Sequence, residues 1–140
     1  MIMYYELASA FREAIEKAIC AGEIREMQTF PRGCCGFASD LLQRYLYERG
    51  IFTWYKHGLY KSESHVWLET EDGLVIDITG DQYKNKGMKF SEPVYVGNKM
   101  NGFHDKFSID LSIPYQAQQD PYEAQKIDKR YQAVMKYLKL

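Results

Sequence analysis

A chain of 140 residues, 46% of them hydrophobic and 26% charged, is long enough for one domain with a buried core and has the composition of a soluble globular protein. Its net charge of −1 gives no electrostatic reason to expect nucleic acid or an anionic membrane as partner, and no apolar run approaches the roughly 20 residues of a membrane span. The opening Met-Ile-Met-Tyr-Tyr-Glu-Leu lacks the basic and apolar regions of a signal peptide, so a cytoplasmic location is expected. Three cysteines, two of them adjacent and none in a Cys-x-x-Cys, point to free thiols in a reducing compartment.

Along the chain, Leu7, Phe11, Ala14, Ile15, Ala18 and Ile19 recur at helical steps and predict a helix over 4–21, stopped by Gly22. Cys20 is expected on its core face. Residues 23–33 read as irregular, with Pro31 disfavouring helix at Phe30. A second helix is expected over 34–49, with Ala38, Leu41, Leu42, Tyr45 and Leu46 inward and Gly50 ending it. Strand character begins at Ile51 and fills 51–59, residues 60–64 read as a polar loop, and 93–97 reads as a further short strand. Residues 98–118 carry no periodic pattern. Asp120-Pro121 gives an N-cap with proline at the first helical position, and Ala124, Ile127, Tyr131, Val134 and Leu138 carry a last helix to the end.

The hairpin 65–70/74–79 can be registered from sequence. A three-residue Glu71-Asp72-Gly73 loop, with Gly73 in the left-handed position, puts Thr70 opposite Leu74 and Trp67 opposite Asp77. His65, Trp67, Asp77 and Thr79 then share one face, and Val66, Leu68, Ile76 and Ile78 the other. His65 and Asp77 become a diagonal pair within reach of each other.

The chemistry concentrates in Pro31-Arg-Gly-Cys-Cys-Gly-Phe-Ala-Ser39, where a Gly-rich loop turns into a helix and presents a thiol. Unpaired N–H groups at a helix start favour the thiolate. With His65 as base and Asp77 as the group that orients it, the set is a nucleophile, its base and its orienting acid. Helix-start N–H groups are oxyanion donors, and Gln28 is a candidate second donor. Trp67 and Gln82 are cleft candidates. Asp81 reads as a turn cap, and His57 and His104 as surface or loop residues. Adjacent cysteines without a second spaced pair make a poor zinc site, and neither a Gly-x-Gly-x-x-Gly nor a P-loop is present, so neither metal nor cofactor is expected.

Gly33-x-Cys35 opening a helix, His65-x-Trp67, and Asp77-Ile-Thr79 together resemble the transglutaminase-like branch of the papain-like cysteine enzymes. The resemblance covers roughly residues 28–82. The chain looks especially like small, uncharacterised bacterial members with a Phe-Pro-x-Gly-x-Cys-Gly start (Phe30 to Gly36) and an Asp-Ile-Thr-x-Asp-Gln-aromatic end (Asp77 to Tyr83). The resemblance implies an α+β fold in which the nucleophile-bearing helix packs on an antiparallel sheet of about three to five strands, in a single domain over 1–140. It implies Cys35 as nucleophile, His65 as base and Asp77 as orienting acid. Cys34 stays open as the alternative nucleophile, because Gln28 six residues before it and Phe37 three after it match the spacing of papain. Gly36 stands where larger members carry a tryptophan, which weakens any transfer of substrate preference. The implied activity is acyl transfer at an amide or thioester carbonyl of a peptide or protein substrate, as a peptidase or amidase first and a deamidase or transglutaminase second. Coenzyme A-dependent arylamine acetyl transfer ranks lower, since no basic cluster suits its phosphates. The rivals are an effector-type enzyme and an inactive binding module on the same fold.

Overall fold

The computed structural model describes residues 1–83 and 90–138. Helix α1 runs Ile2–Cys20 and buries Phe11, Ala14, Ile15 and Ala18 of the predicted stripe together with Ala8, while Leu7 and Ile19 are half-buried. Cys20 is exposed, not buried. It lies two residues beyond Ala18, about 200° around the helix from that stripe. Helix α2 runs Cys35–Glu48, with Cys34 at its N-cap position and Ala38, Leu41, Leu42, Tyr45 and Leu46 buried.

Five antiparallel strands follow: β1 (Thr53–Tyr60), β2 (Glu63–Thr70), β3 (Leu74–Asp77), β4 (Tyr95–Asn98) and β5 (Ser108–Pro114), in the order β4-β3-β2-β1-β5. In the β2/β3 hairpin Leu68 faces Ile76 and Glu69 faces Val75, the register of a three-residue loop, and Gly73 takes φ 86°. The expected polar loop at 60–64 is instead a tight hairpin: Tyr60 pairs with Glu63, and Lys61 turns the chain with φ 54°. Lysine at a position that favours glycine or asparagine leaves no turn signal in the sequence. Helix α3 spans Pro121–Lys136, with Asp120 accepting the Tyr122 N–H at 2.9 Å. It stops short of the expected end, with Tyr137 as its C-cap.

The sheet is buried on both faces at its centre, β2 and β3. Leu68, Ile76 and Ile78 join the core built by α1, α2 and α3. On the opposite face Trp67 and Val75 pack with Tyr83, Phe90, Phe103 and Phe107. The patternless stretch 98–118 thus supplies a lid of aromatic side chains over the second face, a 3-10 turn at His104–Lys106, and the edge strand β5. The chain is α+β, and none of the described helices is long and apolar enough to cross a membrane.

One buried cation ties the first helix to the loop after β3. Arg12 Nη1 and Nη2 hold both oxygens of Asp81 at 2.7 and 2.8 Å, and Nη1 also donates to the carbonyls of Ile78 and Pro93 at 2.9 and 3.0 Å. Burial works against the guanidinium charge, but the hydrogen bonds and charges of Asp81 and Glu16 outweigh it and raise its pKa. Asp81, read from sequence as a turn cap, is therefore an ion-pair partner. Arg12→Met should cost about 3 kcal/mol in chemical denaturation, because it strands a partly buried carboxylate and two carbonyls. A loss below about 1 kcal/mol would show that water replaces the guanidinium.

Candidate active site

Helix α2 packs on β1 and β2 and brings its first residue to the strand that carries His65. Gly33, in the left-handed region at φ 69°, turns the approach so that the helix can start at Cys35. The Cys35 thiol is partly exposed and is hydrogen-bonded by the His65 side chain and the Val66 backbone. Burial opposes its ionisation. The His65 hydrogen bond and charge, together with the Val66 N–H, win and hold the thiol below its ordinary range.

Cys34 differs in every respect. It is 1% exposed within the helical core, and its Sγ lies 3.9 Å from Thr29 Oγ1. Burial pushes its thiol up. Of the two adjacent cysteines, Cys35 is the one that combines partial exposure with a hydrogen bond from an imidazole.

His65 is fully buried, and its Nε2 lies 2.7 Å from Asp77 Oδ2. With Nε2 committed to the carboxylate, Nδ1 is the nitrogen available to Cys35. Burial disfavours a charged imidazole, but the charge and hydrogen bond of Asp77, helped by Cys35, push the pKa up to about 9. Asp77 is also buried; burial would favour its neutral form, but His65 and His104 hold the carboxyl far below the usual range. Its Oδ1 accepts the Thr79 N–H at 2.9 Å.

Gln82 closes the arrangement from the 3-10 turn Gly80–Tyr83 that Asp81 and Arg12 hold in place. Its Oε1 accepts the Gly33 N–H at 3.3 Å, which fixes the amide so that Nε2 sits 3.2 Å from His65 Nδ1 and 3.4 Å from Thr79 Oγ1. Trp67 packs against His65 and His104, with ring centroids 5.7 and 5.0 Å away. Gln28 does not join the site: it is exposed, and its Nε2 donates to the Ile24 carbonyl one turn back. His57 pairs with Asp110 at 2.6 Å, away from the site.

The residue that sequence reasoning missed is His104. It is 3% exposed, not at the surface, and its Nε2 lies 2.7 Å from Asp77 Oδ2, the oxygen that His65 also holds. Its signal was weak: an asparagine three residues earlier, a glycine between them, and Phe103 and Phe107 at helical spacing inside an otherwise patternless stretch.

By donor type, His65, Asp77 and His104 could hold a cation, since their ligand atoms lie within 4.8 Å of one another. The proton arrangement opposes it. A metal-bound histidine keeps one nitrogen bare for the metal and donates the N–H of the other. His104 Nδ1 instead receives Asn101 Nδ2 at 2.8 Å, so the ring proton belongs on Nε2, facing Asp77. No family model, curated protein or solved structure matches this chain.

Proposed function

We propose that the chain is a cysteine-dependent acyl-transfer enzyme acting on an amide or thioester carbonyl, with Cys35 as nucleophile, His65 as base and Asp77 as orienting acid. The observation that carries this reading is a partly exposed thiol at a helix start, bonded to a buried imidazole whose other nitrogen is fixed by a buried carboxylate. The same constellation underlies the resemblance to papain-like, transglutaminase-like enzymes, and the α+β architecture is compatible with it.

In the first step the Cys35 thiolate attacks the carbonyl carbon, and a C–S bond forms as the oxygen takes negative charge. Backbone N–H groups opening α2 are the donors for that charge. Collapse breaks the C–N or C–S bond to the leaving group, which takes the proton held by His65. Water, or an amine in the transferase variant, then attacks the thioester while His65 accepts its proton, and Cys35 is released. A peptide or protein amide is the substrate class this reading favours, hydrolysed by a peptidase or amidase.

The test is the rate of iodoacetamide alkylation against pH on the native protein, with each cysteine resolved by mass spectrometry. Exposed Cys20 is a reference thiol in the same molecule. Cys35 should label much faster than Cys20 at pH 6, and buried Cys34 should label slowest. Equal slow labelling of Cys35 and Cys20 would overturn the enzyme reading in favour of a binding module.

A further inference from the structure

We propose that His104 is a positioning residue of this site, oriented by the Asn101 amide on Nδ1 so that its Nε2–H donates to the same Asp77 oxygen that takes the His65 Nε2–H. The inference rests on the acyl-transfer reading for its consequence, but its structural part stands on a chain of hydrogen bonds whose directions are fixed.

The chain starts at backbone. Asn101 Oδ1 accepts the N–H groups of Phe103 and His104 at 2.8 and 2.9 Å, so this end of the amide is oxygen. The other end is therefore NH2, and it donates to the Asn98 carbonyl at 3.0 Å and to His104 Nδ1 at 2.8 Å. A nitrogen that accepts carries no proton, so neutral His104 bears its proton on Nε2. That proton meets Asp77 Oδ2. The ring itself is clamped by Phe90, Tyr95 and Phe103 at centroid distances of 5.2, 5.5 and 4.8 Å.

The consequence falls on His65. A donor on Asp77 Oδ2 draws off part of the negative charge that stabilises the His65 imidazolium. His104 thus fixes the carboxylate in place and limits how tightly His65 holds its proton, which the base must give up to the leaving group. The titratable groups facing this cluster are Cys35 from α2, His65 from β2, Asp77 from β3, Tyr83 from the 3-10 turn, with Glu63 behind it, and Tyr95 from β4.

Long-range 15N–1H spectra of the histidine rings, recorded against pH on the full chain, test this directly. In the wild type, the neutral His104 ring should carry its proton on Nε2, with Nδ1 bare. Removing the donor in His104→Leu should move the His65 titration upward by about half a pH unit or more, while His104→Gln, whose amide nitrogen reaches the Nε2 position, should leave it in place. A residue that merely filled space would give a downward shift on removal, through loosening of Asp77. If His104→Leu does not fold, His104→Asn, too short to reach Asp77, carries the same expectation. A neutral His104 ring with its proton on Nδ1, or a His65 titration that does not rise in the donor-free variant, overturns the inference. Failure of Cys35 to label rapidly would overturn the acyl-transfer reading alone, since the His104 proton is read independently of the thiol.

Discussion

His65→Ala should slow iodoacetamide labelling of Cys35 at pH 6 by about a hundredfold while leaving Cys20 unchanged. An ordinary thiol with a pKa near 8.5 is only about one part in 300 thiolate at that pH. The wild-type Cys35 is held in the thiolate form by the His65 hydrogen bond and charge, which outweigh its burial. Removing the imidazole leaves burial opposed only by the Val66 N–H and the helix start, which recover part of the loss. The pH profile sharpens the test. In the proposed mechanism His65 delivers a proton to the leaving group, so any acyl-transfer activity should fall as pH rises through about 9, where the imidazolium is lost. Labelling should persist there, because the thiolate survives. A Cys35 labelling rate in His65→Ala within threefold of wild type would remove His65 from the base role.

Much of this was legible in the sequence, and the reasons are specific. The apolar stripes of α1 and α2 have helical period and are packed on one side only, so pattern and burial agree. The β2/β3 register followed from a single glycine and the need to collect Leu68, Ile76 and Ile78 on one face. That register placed His65 beside Asp77, now 2.7 Å apart. What sequence did not reveal depends on contacts between distant segments. Asp81 reads as a turn residue because its partner, Arg12, lies 69 positions away. His104 reads as a loop residue because its burial comes from an aromatic layer drawn from 67–107, in which no local period exists. β5 was missed because its residues are exposed on an edge where Ile109, Leu111 and Ile113 alternate without a buried face to confirm them.

Asp77→Asn should be the most damaging isosteric change in the molecule, by about 3 kcal/mol or more, and its cause is a mismatch of donors. In the native site every contact to the carboxylate is a donor: Thr79 N–H on Oδ1, and the Nε2–H groups of His65 and His104 on Oδ2. An asparagine amide has one oxygen and one NH2, so either orientation sets a donor against a donor in a space closed to water. His104 has no relief, since Asn101 keeps its proton on Nε2. His65 has one: it can move its proton to Nδ1 and let Nε2 accept from the new amide. That tautomer places a proton on the nitrogen facing Cys35, where a bare nitrogen must receive the thiol proton, so rapid labelling at pH 6 should fall together with stability. The pH dependence of stability should change as well. Asp77 has a depressed folded pKa, so its contribution is present above about pH 4 and is lost as pH falls toward the folded value. His65 has a raised one, so its contribution is complete below about pH 6.5 and is lost as pH rises through about 9. Wild-type stability should therefore be broadest between those limits, and in Asp77→Asn both flanks should flatten, because the buried carboxylate is gone and His65 keeps only the Cys35 part of its shift. Urea denaturation of the two proteins from pH 3 to 9.5 reads both effects, and curves that run parallel across that range would show that Asp77 is not charged in the folded state.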